Sequence, residues 1–262
     1  MRWWSVERHD RIAVATFTRP PRNFMSFAAM GELENTLTEL AQDQSVTVVV
    51  LTGGVAGYFV AHADLDDLQR IGRGEPVEGD PGSWGRTLTL IEAMPQPVVA
   101  AIDGQAWGGG CELALACTMR VASTAAHLGQ PEVNVGIIPG AGGTQRLPRL
   151  IGAGRAADLI LSGRIVDAGE ALALGLVNAV LPVEGFLDHA LEWAGQVAQR
   201  PRSAVVAAKR AIVEGLRLPF DEGLRLEGSL FIQLQAGEEA VGLEHAASER
   251  YSAASDDDHI DL

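Results

Sequence analysis

The sequence predicts an α/β fold in which parallel strands are joined by helical crossovers and the last third of the chain is helical. Three observations predict it. Short β-branched runs alternate with helix-periodic segments from Ile12 to Ser123, the pattern that strand–helix–strand connections produce. Beyond Ala153 helical patterns dominate. The 262 residues include 30 glycines and are 47% hydrophobic, a composition that fits a turn-rich globular protein. That length suits one large domain, or one domain plus a small appendage.

The elements follow in order. Ile12–Phe17 reads as a strand ended by Arg19-Pro20-Pro21. Ser26 is an N-cap for a helix to about Gln42, with Met30, Leu33, Leu37 and Leu40 on one face. Val46–Leu51 is a buried strand closed by Thr52-Gly53-Gly54. A charged short helix at Asp64–Arg70 comes next, and Gly72–Gly85 reads as a mobile surface loop. A helix at Arg86–Met94 leads into a strand at Val98–Asp103. Gly104–Gly110 is the turn before a small-residue helix, Cys111–Cys117. A strand at Arg120–Ser123 precedes the Gly/Pro-rich stretch Gly129–Gly143. Helices are then expected at Ala153–Leu161, Asp167–Leu174, Gly185–Gln199, Arg202–Leu216 and Phe220–Gly237.

Charge narrows the partners. The formal net charge of −14 argues against nucleic acid or an anionic membrane surface as the main partner. A local arginine cluster can still bind a small polyanion, and Lys209 is the only lysine. Cys111 and Cys117 match neither a metal-binding pair nor a secreted disulfide framework. The opening residues carry charge with no apolar leader segment, and no run of about 18 uncharged apolar residues occurs. A soluble, cytoplasmic protein is expected.

Chemistry concentrates in two places. Trp107-Gly108-Gly109-Gly110-Cys111-Glu112 sets three glycines where a strand gives way to a helix. The backbone there can approach a ligand closely, and the helix start offers unpaired N–H groups to a developing oxyanion. On the triplet alone, a tight turn is the simpler reading. Twenty residues on, Gln130-Pro131-Glu132 and the stretch from Gly136 to Pro148 place a second carboxylate beside a Gly/Pro-built turn. Two carboxyls with separated pKa values can supply acid, base and water orientation. Singly, each is better read as a capping or solvated residue.

The runs Ile102–Cys117, Gly129–Glu132 and Pro139–Arg146, with Asn23-Phe24-Met25-Ser26 after Arg19-Pro20 and with Ala61-His62-Ala63-Asp64-Leu65, closely resemble the enoyl-CoA hydratase/isomerase (crotonase) family. The resemblance runs in order from about Ile12 to Pro182, roughly two-thirds of the chain. It implies a crotonase-like spiral of stacked ββα units with a C-terminal helical trimerisation region. The expected organisation is a core over 1–195 that carries the active site, a helical region over 196–262, and an acidic tail from about 255. It implies a homotrimer or a dimer of trimers, acting on an acyl-CoA thioester with no cofactor beyond the coenzyme A of the substrate.

The resemblance also assigns residues. The backbone N–H groups of Ala63 and Gly109 match the family's oxyanion hole, where one donor is worth about 2.7–4 kcal/mol of transition-state stabilisation. Glu112 and Glu132 match the catalytic glutamates of its hydratases, and keeping both makes syn hydration of a 2-enoyl-CoA the leading reaction. Double-bond isomerisation, or binding of acyl-CoA or a protein without turnover, are the alternatives. Expected substrate contacts are Arg22, Ala61, His62, Asp64, Leu65, Trp107, Gly108, Pro131 and Gly140. Trp84, Leu88 and Trp107 are candidates for shaping the acyl pocket.

Two departures stand out. His62 occupies a position where the family usually has Gly; a positive φ there would cost about 1–3 kcal/mol. Glu238–Tyr251 lacks the family's basic pair, which leaves Arg22 as the candidate phosphate contact. Other motifs are set aside. Gly152–Ala157 matches a dinucleotide pattern but follows a poor strand and reads as a helix start. Pro81–Gly85 lacks the first glycine of a nucleophile elbow. Cys111 has no histidine near it in sequence and reads as a small core residue. The six histidines have no metal-ligand spacing.

Overall fold

The computed structural model describes residues 2–253; the expected acidic tail lies outside them. The chain divides into two compact units between Arg202 and Ser203.

The first unit opens with β1 (Trp4–His9) and β2 (Ile12–Phe17), followed by α1 (Phe27–Gln42), β3 (Val48–Gly53), α2 (Leu65–Gly72) and α3 (Ser83–Ala93). Then come β4 (Val98–Ile102), β5 (Gln105–Trp107), α4 (Gly109–Ala116), β6 (Met119–Ser123) and β7 (His127–Gly129). A 3-10 turn at Glu132–Val135 precedes α5 (Gly143–Ile151) and α6 (Ala153–Ser162). The unit ends with β8 (Ile165–Asp167), α7 (Ala168–Leu174), β9 (Ala179–Leu181) and α8 (Phe186–Ala198).

Six strands form one sheet in the order β1-β2-β3-β4-β6-β9. Only the β1–β2 pair is antiparallel; every later pair is parallel. Parallel strands need crossovers, and these bury both faces of the sheet. The strand residues divide accordingly with period two. Ala13, Ala15, Phe17, Val49, Leu51, Ala100 and Ile102 face the larger core with α1, α3 and α4. Ile12, Val14, Val48, Val50, Val99, Ala101 and Val121 face α8 through Phe186, Ala190, Ala194 and Ala198. A second sheet, β5-β7-β8, stands beside the first.

Helix ends follow local chemistry. The Ser26 hydroxyl accepts from the Ala29 N–H, Asp64 from the Asp66 N–H, and Asp167 from the Glu170 N–H, so each starts a helix. Buried Ser83 and Thr87 donate to the Phe27 and Met30 carbonyls and fix α3 against α1. At the far end of α4, the buried Arg120 guanidinium donates to the carbonyls of Ala114, Cys117 and Leu176. A cation suits a helix C-terminus, and here it anchors the helix whose start forms the site.

The second unit carries α9 (Arg202–Gly215, which begins at the boundary), α10 (Phe220–Gln235) and α11 (Glu238–Ala253). These helices bury few side chains: Lys209 and Leu230 are the buried ones that α9 and α10 contribute. Ile212, Leu216, Phe220, Phe231 and Ile232 are all well exposed.

Candidate active site

The site forms where four segments of the first unit meet: the 61–65 loop, the start of α4, the 130–143 segment and the start of α3. Asn23 organises the first of these. It is fully buried at positive φ, a conformation that Asn tolerates better than most residues. Its amide nitrogen donates to the carbonyls of Phe17 and Phe59, and its oxygen accepts from the Arg19 N–H. Its own carbonyl accepts from the Ala61 N–H. Met25 then brackets the loop, donating to the His62 carbonyl and accepting from the Asp64 N–H, at 2.9 and 2.8 Å. Arg19 closes the arrangement with a 2.7 Å ion pair to Asp64.

The Ala63 N–H is thereby held between two satisfied neighbours while making no hydrogen bond of its own among the described residues. The Gly109 N–H, first in α4, is also unpaired. A side-chain carbon built on Gly109 would stand 3.2 Å from the Ala63 nitrogen and 2.7 Å from the tip of the Trp84 indole. The next position, Gly110, lies so close to the Val60 carbonyl that any side chain would collide with it. Before them Gly108 takes φ 51° and ψ −121°, a region open essentially to glycine. The glycine triplet therefore brings the helix start directly against the 61–65 loop.

His62 does not take the positive φ that its replacement of glycine raised as a cost; among the described residues only Asp10 and Asn23 do so without being glycine. Its ring stacks on Phe24 with centroids 4.2 Å apart, and its Nδ1 lies 2.6 Å from the Ala63 carbonyl oxygen.

Glu112, one turn into α4, is nearly buried. Its Oε1 accepts from the Ala141 and Gly143 N–H groups at 2.7 and 2.8 Å. Burial raises its pKa, while the two amides and the nearby Arg146 charge oppose the rise. Glu132, at the start of the 3-10 turn, sits with Oε1 3.1 Å from where a side-chain carbon on Gly108 would be. Its pKa is pushed up to about 7, first by burial and further by the Glu112 charge. Buried Gln130, with its amide nitrogen turned to the carboxyl, donates to Glu132 Oε1 and Oε2 at 2.9 and 3.2 Å. The two carboxyls thus share one cavity in unlike environments, the condition for dividing acid/base work. Buried Cys111 has its thiol pushed up to about 12, which fits a core residue and no nucleophile.

The cavity holds about 500 Å³ and both glutamates, Ala63 and Gly109 line it. Of the expected contacts, His62, Leu65, Trp107, Gly108, Pro131 and Gly140 also line it. Arg22, Ala61 and Asp64 do not. Arg22 is exposed outside the cavity; Ala61 is buried behind it, giving its carbonyl to the Trp107 N–H; and Asp64 is engaged by Arg19 while capping α2. Trp84 is on the wall, whereas Leu88 is in the core. Val135, Ile137 and Ile138, within the Gly/Pro-rich stretch, contribute an apolar side. Among the described residues no cluster of metal-binding side chains occurs, and no helix is long and apolar enough to cross a membrane.

Two carboxyls in unlike environments share this cavity with the Ala63 and Gly109 backbone, an arrangement suited to an acid/base enzyme. The chain itself belongs to the enoyl-CoA hydratase/isomerase family, whose profile matches residues 7–250. It is 38% identical over 228 residues to crotonyl-CoA hydratase of Syntrophomonas wolfei, covering 86% of this chain and 87% of that protein. To the short-chain-enoyl-CoA hydratase of Clostridium acetobutylicum it is 38% identical over 229 residues, with 86% and 87% covered. The crystal structure of enoyl-CoA hydratase from Bacillus anthracis superposes with a TM-score of 0.87 at 36% identity, over 95% of this chain and 97% of that one. The fold is accordingly the crotonase-like one that the resemblance implied.

Proposed function

We propose that the protein hydrates 2-enoyl-CoA thioesters to 3-hydroxyacyl-CoA, with Glu112 and Glu132 as the acid/base pair and the Ala63 and Gly109 N–H groups as the oxyanion hole. The observation that carries the residue assignment is the single cavity that Ala63, Gly109 and two differently held carboxyls line together. The relatives named as hydratases support the reaction.

The chemistry follows from the geometry. A thioester oxygen between the two amides gains negative charge at little reorganisation cost, and the β-carbon becomes electrophilic. Glu112 has one oxygen committed to Ala141 and Gly143, so its other oxygen orients a water. As the water oxygen bonds to the β-carbon, Glu132 takes a proton from it and delivers a proton to the α-carbon of the enolate. Hydroxyl and hydrogen arrive from the same side, which is syn addition, and Glu132 ends in its starting state. A group with pKa about 7 gives and takes protons with little cost near neutral pH.

Isomerisation needs the proton transfers but not the water, and binding without turnover needs neither. The holding of Glu112 by two amides, which leaves it poised for a water, favours hydration over both. Incubating crotonyl-CoA in water enriched in heavy oxygen tests this. Label in a 3-hydroxy product is expected; a shifted double bond without label, or acyl-CoA binding with no product, would overturn it.

The proposal extends to assembly as a homotrimer or dimer of trimers. Leu216 and Phe220 are 84% and 79% exposed, and large apolar side chains left so open just after α9 and at the start of α10 are better buried against other copies. Sedimentation of the purified protein tests this; a monomer at micromolar concentration would contradict it. A cytoplasmic location belongs to the same proposal, supported by two free cysteines.

A further inference from the structure

We propose that Arg146, braced by Glu92, is a positioning residue that holds the Ala141–Gly143 turn in the arrangement that grips Glu112. The inference rests on the hydratase reading, since it assigns a function to the support of one of that reading's two carboxyls.

The turn is held chiefly through its backbone, whose Gly142 carbonyl accepts from the Gln145 and Arg146 N–H groups at the start of α5. Pro139-Gly140-Ala141-Gly142-Gly143 carries no side chain larger than proline, so its backbone must be fixed by hydrogen bonds. Its two inward amides both point to Glu112 Oε1. On the other side, Arg146 Nη1 donates to the Ala141 carbonyl at 2.8 Å. Ala141 therefore carries Glu112 on its N–H and Arg146 on its C=O. The guanidinium also lies against Gly142, where any side chain would collide with Nη1. Its Nε donates to Glu92 Oε1 at 2.6 Å, across to α3. The Arg146 and Glu92 side chains are only 21% and 18% exposed, so this ion pair is shielded from solvent and rigid in direction. Neither residue lines the cavity; both act only through the turn.

Two consequences follow for Glu112. Its carboxylate keeps a fixed orientation, because the amides that hold it cannot swing away from a carbonyl pinned from behind. It also keeps its charge more readily. The groups that face it are the Ala141 and Gly143 amides, the Arg146 cation on α5, the Glu132 carboxyl of the 3-10 turn and the Cys111 thiol beside it on α4. Arg146 is the one cation among them. Removing it takes away one of the three influences that oppose the rise burial causes, and leaves the two amides to hold the charge alone.

The test uses the full-length enzyme with Arg146→Met, Arg146→Lys and Glu92→Gln, reading kcat, KM for crotonyl-CoA and the melting temperature. Concentrations of competent sites are taken from acyl-CoA binding. Arg146→Met is expected to lower kcat at least tenfold with KM changed less than about threefold. Arg146→Lys, which can still reach the Ala141 carbonyl, should recover part of the rate. Glu92→Gln, nearly the same shape, should show a smaller loss of the same kind and carries the test if Arg146→Met does not fold. A lower melting temperature with wild-type kcat and KM per competent site would make the pair merely structural and overturn the proposal. Glu112→Gln is the control. If that variant turns over normally, the hydratase assignment itself fails; if it is inactive while the Arg146 and Glu92 variants are normal, only this inference does.

Discussion

The amide nitrogen of Ala63 lies 3.2 Å from where a side-chain carbon on Gly109 would be, and neither residue's N–H has a partner among the described residues. Asn23 and Met25 fix one donor from outside the loop, and the glycine triplet lets the other come alongside it. Gly109→Ala should therefore be damaging far beyond its size. The added methyl would press on Trp84 and Ala63 and occupy the space meant for a carbonyl oxygen. A fall in kcat/KM on the order of a hundredfold is expected, in the range for losing an oxyanion donor. Steady-state hydration of crotonyl-CoA checks it; a change below about threefold would contradict the assignment of these amides.

Activity should depend on pH through Glu132. It must accept a proton from water, so its ionised form is the active one. With its pKa pushed up to about 7, kcat/KM should rise with pH through that value. About a tenth of the plateau is expected one unit below it. The rate measured from pH 5.5 to 9 tests this, and a flat profile across pH 6–8 would contradict it.

The same burial should cost stability. The Glu132 pKa is raised from 4.5 to about 7, so between those values the unfolded chain releases a proton that the native state retains. Native stability falls as pH rises through that window and stays lower above it. The side chain is partly reached by solvent, which reduces the effect. Glu132→Gln is expected to be more stable than wild type by about 1–2 kcal/mol at pH 8, and equal to it near pH 4. Urea denaturation at both pH values checks this; an equal or less stable variant at pH 8 would count against the raised pKa.

Trp84 should set the reach of the acyl pocket. Its indole is largely buried, lines the cavity and touches Gly109. Trp84→Ala would lengthen the pocket beside the reacting carbons and cost about 3 kcal/mol, the low end for such a change because one face already borders open space. The ratio of kcat/KM for octenoyl-CoA to that for crotonyl-CoA is expected to rise at least tenfold. An unchanged ratio would place the acyl end elsewhere.

Much of this was legible from sequence wherever the cause is local. Ser26, Asp64 and Asp167 announce helices because a cap needs only the next two or three residues. Ile12–Phe17 announces a strand because both of its faces are buried. The three-residue strands β5, β7, β8 and β9 were not visible, since pairing with distant partners, not propensity, makes them extended. β1 escaped because its residues after Trp4 are exposed and polar in pattern. α5 escaped because it starts at a glycine and carries Pro148 inside. The glutamates, the glycine triplet and the 61–65 loop were found as motifs, and the structure brings them to one cavity. Val135, Ile137 and Ile138 were not found, because only the path of the chain reveals that an apolar turn is a pocket wall. Nor was the Glu92–Arg146 pair, whose members lie 54 residues apart. Arg22, Ala61 and Asp64 do not line the cavity: Arg22 is exposed, Ala61 is buried, and Asp64 pairs with Arg19.

The most direct measurement is the turnover of crotonyl-CoA by Glu132→Gln beside a titration of its acyl-CoA binding. A carboxyl that moves both protons cannot be replaced by an amide. Loss of kcat by about a thousandfold or more, with binding within a few-fold of wild type, is expected. A variant that hydrates at the wild-type rate would contradict the assignment of Glu132, whatever the fold and the family resemblance suggest.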